Sequence, residues 1–232
     1  MIKAIFFDID GTLIDHDGAE YAGIVHIYRS RRPHTLPVDL ERFAAIWHEA
    51  AERIIDLYFN GTLTFAEQRI ARVQSTFQAF GKSLTEKEAE EIFAEYLTIY
   101  EKSWSLYDDV LPCLDLVRGY RLGVISNGYG DQQRQKLEQT GILSRFTDIV
   151  ISSEVGVSKP SREIFLAALN SASVKPYEAL FVGDKLDVDA LAAQRAGLKG
   201  VYLNRGPIGR PGAFEITISS LGELKRWLRV EG

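Results

Sequence analysis

The sequence predicts an α/β protein: a Rossmann-like, doubly wound, mainly parallel sheet core with an inserted all-helical cap domain. Three observations carry this. Short apolar runs such as Ile5-Phe6-Phe7, Leu122-Gly123-Val124-Ile125 and Ala179-Leu180-Phe181-Val182 are continuous rather than alternating, as in strands covered on both faces. From Leu122 onward such runs alternate with helical patterns, which favours a parallel sheet. The stretch from His16 to Ser105 has almost no strand signal and repeats its apolar residues at helical spacing. The expected division is 1–15 with 106–232 as the core, and 16–105 as the cap.

The first strand is expected over Lys3 to Phe7. In the cap, Leu40, Phe43, Trp47, Ala50, Ala51, Ile54 and Tyr58 share one helical face. Thr64 with Glu67, and Thr85 with Glu88, have the spacing of capping boxes that start two further helices. Trp47, Tyr58, Phe77 and Trp104 fall on apolar faces and are expected in the cap's own core. Arg29, Arg31, Arg32 and His34 form a basic cluster expected on an exposed loop.

Beyond the cap, a strand ends at Ser126-Asn127-Gly128, and a helix runs from about Asp131 to Thr140 with Gly141 closing it. A strand at Asp148 to Ile151 precedes a helix near Arg162 to Asn170. The strand Ala179 to Val182 ends at Gly183-Asp184, and Asp189 to Ala196 is helical up to Gly197. Strands at Gly200 to Leu203 and Phe214 to Ile218, then a helix around Leu221 to Leu228, complete the chain.

The 232 residues are 46% hydrophobic and 25% charged, ordinary for a globular protein. Lys and Arg number 27 against 32 Asp and Glu, a formal net charge of −5, which argues against binding a nucleic-acid polymer. No apolar run approaches the ~20 residues that span a bilayer, so no membrane role is expected. The opening residues lack a basic n-region and a cleavage site, and a cytoplasmic protein is expected. The single cysteine, Cys113, permits neither an internal disulfide nor a cysteine zinc cluster.

Function is expected where the strands end. Asp8, Ser126 and Asp184 each stand directly after an apolar strand or one glycine beyond it, and Lys159 lies shortly after another. An open parallel sheet binds ligands at the carboxyl ends of its strands, so the topology alone gathers these four groups. Asp8, Asp10, Asp184, Asp187 and Asp189 make a carboxylate-rich cluster with one cation, Lys159, in reach. A hard cation would relieve the repulsion, and magnesium fits: it takes oxygen ligands and leaves positions for water and phosphate. A hydroxyl, a lysine and magnesium together suit a phosphoryl group. Asp187 is set aside as a helix cap or solvent-facing charge, and Asp15 and Asp17 as solvated linker charges.

At these residues the chain resembles the haloacid dehalogenase-like hydrolase superfamily. Asp8-Ile9-Asp10-Gly11-Thr12-Leu13 is similar to its first motif, Ile125-Ser126-Asn127 to the second, Lys159-Pro160 to the third, and Gly183-Asp184 with Asp189 to the fourth. The four occur in order across the whole chain, and the insert resembles the superfamily's C1-type cap. The resemblance implies that Asp8 attacks phosphorus and that Asp10 protonates the leaving oxygen and later activates water. It implies magnesium on the Asp8 carboxylate, the Asp10 backbone carbonyl and Asp184, with Asp189 supporting the metal and Lys159. Ser126, Asn127 and Lys159 would bind substrate.

The expected function is a magnesium-dependent phosphatase for a small phosphorylated metabolite, acting through an aspartyl-phosphate. The stretch from Ser126 through Gln132-Gln133 and Lys136-Leu137 to Gly141 resembles nucleotidase-like and sugar-phosphatase-like branches. The opening DIDGTLIDHDGAE resembles a pyrimidine 5′-nucleotidase branch. Sugar-phosphate phosphatases and phosphomutases share all four motifs and stand as alternatives. A haloacid dehalogenase needs no metal and typically lacks the second aspartate of the first motif. A non-catalytic phosphate-binding domain would bind without turnover.

Overall fold

The computed structural model describes residues 1–31, 39–206 and 214–228. The chain divides into two compact units, Met1–Asp15 with Ser105–Gly232, and His16–Trp104.

The core unit opens with β1 (Ala4–Phe7), four apolar residues that are all fully buried. The chain then leaves for the helical unit and returns. Asp15 N–H donates to the Ser105 carbonyl at 2.9 Å, and Ile14 bridges Leu106, so the outgoing and returning strands of chain lie side by side within the core unit.

The helical unit holds α1 (His16–Ser30), α2 (Leu40–Phe59), α3 (Phe65–Gln78) and α4 (Glu86–Lys102). Both expected capping boxes are present: Thr64 and Thr85 each accept from the backbone three residues on, while Glu67 and Glu88 reach back. Aromatic rings fill the interior, with Trp47 against Tyr96 at 4.9 Å between centroids and Phe43 against Phe80 at 5.7 Å. Trp47, Phe77 and Trp104 are buried as expected, and Tyr58 is partly so. The basic cluster is not a loop throughout: Arg29 sits in the last turn of α1 and Arg31 pairs with Glu95 of α4, while Arg32 and His34 lie outside the described residues.

After re-entry come α5 (Val110–Leu116), β2 (Arg121–Ser126), α6 (Gly130–Gln139), β3 (Asp148–Ile151) and the single turn α7 (Ser152–Val155). They are followed by α8 (Arg162–Ala172), β4 (Ala179–Gly183), a wide π-type turn at Leu186–Ala190, α9 (Leu191–Ala196), β5 (Lys199–Leu203), β6 (Thr217–Ile218) and α10 (Leu224–Leu228). Among the described residues these strands form one six-stranded sheet, ordered β3-β2-β1-β4-β5-β6, in which every neighbouring pair is parallel.

Side chains alternate between the faces of each strand. Ala4 and Phe6 pack on one side with Phe165 and Ala168 of α8 and Ala192 of α9. Phe7 meets Phe146, with ring centroids 6.4 Å apart. Both faces are therefore apolar, which explains the continuous runs. The strand expected over Phe214 to Ile218 pairs only at Thr217 and Ile218. The helix expected to start at Asp189 begins earlier, with the wide turn from Leu186.

Strand order reverses between β1 and β4, the position where doubly wound sheets open a crevice at their carboxyl ends. Among the described residues no helix is long and apolar enough to cross a membrane. Burial pushes the Cys113 thiol up to about 12, so it stays protonated and unreactive at neutral pH.

Candidate active site

Asp8 directly follows β1 and Asp184 directly follows β4, on the two strands that flank the reversal of strand order. Asp8 N–H donates to the Val182 carbonyl at 2.9 Å, extending the pairing one step past the strand end. Asp8 is 7% exposed and Asp189 1%. Asp8, Asp184 and Asp189 each bring one carboxylate oxygen within 4.8 Å of the others.

Three carboxylates so close in a poorly hydrated site need a counter-charge. Lys159 supplies one: its ammonium lies 2.6 Å from Asp8 Oδ1 and 2.7 Å from Asp189 Oδ1. The Lys159 backbone is fixed in turn by Asn127, whose amide donates to the Lys159 carbonyl at 2.9 Å and accepts from its N–H at 2.7 Å. Asn127, expected to bind substrate, thus uses both ends of its side chain to brace the lysine loop against the end of β2. The second oxygen of Asp189 accepts from Lys185 N–H at 2.9 Å, within the wide turn that carries it.

One lysine does not neutralise the set. Burial pushes the Asp8 carboxyl up to about 7, with Asp189 and Asp184 adding to the rise and Lys159 opposing it. Burial and then Asp189 push Asp184 up to about 6, against the pull of Lys159 and Lys185. Burial would lower Lys159, but Asp189 and Asp8 outweigh it and hold its pKa above the ordinary lysine value. Carboxylates that resist ionisation for want of positive charge are a donor set suited to a hard divalent cation. Asp189 is engaged by Lys159 and Lys185, whereas Asp184 receives a long 3.3 Å bond from the Thr12 hydroxyl.

The first-motif loop is anchored from behind. Arg205, just past β5, donates to the Thr12 carbonyl at 2.8 Å and to both oxygens of Asp109, at 2.9 and 3.0 Å. Two glycines make room in front. Gly11 has φ +79°, and a Cβ there would stand 2.4 Å from Asp184 Oδ2. A Cβ on Gly183 would stand 2.4 Å from Asp189 Cγ.

Asp10 is placed apart from the three-carboxylate group. Its side chain meets Lys136 of α6, whose ammonium lies 2.6 and 2.8 Å from the two carboxylate oxygens. Gln133 Nε2 donates to Asp10 Oδ2 at 2.9 Å and to Ser126 Oγ at 2.7 Å. The expectation of a single cation is corrected here: Lys136 is a second one, 3% exposed at its side chain. Thr12, Gln133 and Lys136 were not expected as site residues. The signal for Gln133 and Lys136 was weak, because the buried positions of α6 are Gly130, Gln133, Lys136 and Leu137, and only Leu137 is apolar with a large side chain. Asp187, set aside earlier, is exposed.

Residues 2–197 match the family model described as haloacid dehalogenase-like hydrolase. A glyceraldehyde 3-phosphate phosphatase of Methanopyrus kandleri is 31% identical over 211 residues, covering 89% of this chain and 85% of that protein. The pyrimidine 5′-nucleotidase YjjG of Escherichia coli is 28% identical over 232 residues, covering 97% and 96%. Among solved structures, the HAD-hydrolase YfnB of Bacillus subtilis, crystallised with magnesium bound, superposes with a TM-score of 0.83 at 22% identity, covering 98% and 99% of the two chains. The chain belongs to the haloacid dehalogenase-like hydrolases, and within them it is a phosphoric monoester hydrolase.

Proposed function

We propose that the protein is a magnesium-dependent phosphatase that hydrolyses a small phosphorylated metabolite through an aspartyl-phosphate on Asp8. The observation that carries this is the placement of Asp8. It is buried at the reversal of the sheet, with the Lys159 ammonium on one oxygen and the Asp184 carboxylate within reach.

A carboxylate approaching a phosphate dianion meets like charge, so the attack needs positive charge at the site. Asp8, Asp184 and the Asp10 backbone carbonyl would hold magnesium, which supplies that charge and polarises a phosphoryl oxygen. Lys159 orients Asp8 and neutralises a phosphoryl oxygen, and the Ser126 hydroxyl donates to another. An Asp8 oxygen bonds to phosphorus as the ester P–O bond breaks, and the leaving oxygen takes a proton from the Asp10 carboxylic acid. Asp10, now a carboxylate, takes a proton from water as the water oxygen attacks phosphorus. The bond from Asp8 to phosphorus breaks, and inorganic phosphate leaves.

For the substrate, a pyrimidine 5′-nucleotide is the narrower reading. It is supported by the opening DIDGTLIDHDGAE and by the near-complete overlap with a relative named for that activity. A sugar or triose phosphate is the second reading, favoured by the relative at 31% identity named for glyceraldehyde 3-phosphate.

The test is phosphate release from an aryl phosphate, 5′-nucleotides, sugar and triose phosphates and phosphoglycolate. Each is assayed with magnesium, with chelator, and with Asp8→Asn. Release should need magnesium and vanish in the variant. Faster turnover of sugar or triose phosphates than of any nucleotide would overturn the nucleotidase reading, and undiminished release by Asp8→Asn would overturn Asp8 as nucleophile.

A further inference from the structure

We infer that Lys136 is the positioning residue for Asp10, holding the acid–base carboxylate in the one orientation from which it can serve the leaving oxygen. The inference rests on the reading of Asp10 as the proton donor.

A lysine ammonium is costly to bury, and Lys136 is buried to 3% exposure of its side chain while Asp10 keeps 26%. The pairing is asymmetric: the lysine is fixed in the interior while the aspartate side chain stays partly open to solvent. Lys136 engages both oxygens, at 2.6 and 2.8 Å, which restrains the carboxylate's rotation as well as its position. Beside Gly11, whose φ is +79°, the Asp10 backbone bridges Ile14, so the loop sets the backbone while Lys136 and Gln133 hold the carboxylate.

Gln133 adds a second restraint. It lies one turn before Lys136 on the same face of α6. Its amide joins Asp10 Oδ2 to Ser126 Oγ, at 2.9 and 2.7 Å. One helix face therefore holds the proton donor and the phosphoryl-binding hydroxyl in register. For the first half-reaction Asp10 carries a proton on one oxygen while the other keeps its bond to Lys136. That proton goes to the leaving oxygen as the ester bond breaks, and the carboxylate left behind pairs through both oxygens with the Lys136 ammonium, the arrangement seen here. In the second half-reaction the same carboxylate accepts a proton from water.

A purely structural role for Lys136, tying α6 to the first-motif loop, would lower the hydrolysis of all esters alike. A positioning role would not. Dinitrophenolate leaves without a proton, whereas an alkoxide leaves only with one. The parameter to read is kcat/KM, which covers the steps through departure of the leaving group and is blind to the later hydrolysis of the intermediate. The probes are dinitrophenyl phosphate and, as alkyl esters, uridine 5′-monophosphate and glyceraldehyde 3-phosphate, with magnesium throughout.

Lys136→Met should lose on the order of 10²-fold or more on an alkyl ester and less than about tenfold on dinitrophenyl phosphate. Lys136→Arg should recover much of the alkyl-ester rate. Combined with Asp10→Asn, Lys136→Met should add little to the single loss, as expected for residues acting as a unit. Equal losses on both ester classes, or additive losses in the double variant, would overturn the inference. Circular dichroism checks folding, and if Lys136→Met does not fold, Lys136→Gln and Lys136→Arg carry the same comparison. A wild-type protein that hydrolyses neither ester class, or an Asp10→Asn variant with no leaving-group preference, would instead overturn the proton-donor reading on which the inference stands.

Discussion

Lys159 and Asp8 form a buried ion pair, 2.6 Å apart, with side chains 3% and 10% exposed. The lysine is shared with Asp189 at 2.7 Å, so a single ammonium stands between the nucleophile candidate and the carboxylate behind it. Removing one member of a buried pair leaves uncompensated charge and typically costs about 3–5 kcal/mol. Lys159→Met should therefore lower the urea midpoint strongly in chelator and abolish phosphate release. Asp8→Asn added to Lys159→Met should restore part of the lost stability, because it removes one of the crowded charges. A double variant no more stable than Lys159→Met would show that repulsion among the carboxylates is not what the lysine offsets.

The same crowding predicts how the metal-free protein responds to pH. Asp8 titrates at about 7 and Asp184 at about 6 in the fold, against about 3.9 for an aspartate in an unfolded chain. Between those limits the folded protein holds protons that the unfolded chain has released, so stability falls as pH rises. In chelator the urea midpoint should therefore drop from about pH 5 to about pH 8, and drop less in Asp8→Asn. Added magnesium should reverse the trend, since it binds the ionised carboxylates and competes with protons. A midpoint that rises with pH in chelator, equally in both proteins, would contradict the assignment.

Much of this was readable from residue order. Asp8, Ser126 and Asp184 stand out because each ends a continuous apolar run, and a parallel sheet collects such ends on one edge. The capping boxes at Thr64 and Thr85 were readable because their hydrogen bonds are local. Lys136 and Gln133 were not, because the buried face of α6 carries a single large apolar residue, Leu137, and so almost no periodic signal. Their burial is set by Asp10, more than a hundred residues earlier in the chain. The hydrogen bonds from Asn127 to the Lys159 backbone were hidden for a similar reason, since they depend on where Lys159 returns in the fold. The wide turn before α9 carries the carboxylate of Asp189 back to Lys185 N–H, a contact that no propensity encodes.

Gly11 gives a sharper test of the proposed metal site than a ligand substitution, since it changes no charge. Its φ of +79° disfavours any side chain, and a Cβ would lie 2.4 Å from Asp184 Oδ2. Gly11→Ala should cost about 1–2 kcal/mol through the backbone alone. It should also displace Asp184 and weaken magnesium binding by at least about tenfold, equivalent to about 1.4 kcal/mol. The measurement is the rise in melting temperature with magnesium concentration, which scales with occupancy. An unchanged magnesium response in a folded Gly11→Ala protein would exclude Asp184 as a ligand.

The helical unit carries its own titratable pair. Glu20 on α1 is 5% exposed. It accepts from Arg72 of α3 at 3.5 Å and stands 2.8 Å from His48 Nδ1 of α2. The hydrogen bond to Glu20 raises the His48 pKa, with burial opposing and the charges of Glu20, Glu52 and Asp17 adding to the rise. For a histidine shifted upward, the stabilisation is complete below its unfolded pKa of about 6.5 and is lost as pH climbs through the higher folded value. Hydrogen exchange in α1 and α2 should accordingly speed up between about pH 6 and pH 8 by more than the intrinsic chemical rate. The excess should disappear in His48→Gln, which keeps a donor for Glu20 but no titrating charge. Because half of the His48 side chain is open to water, the effect should shrink in high salt. An excess that persists undiminished in His48→Gln would assign the pH response of the bundle to groups other than this pair.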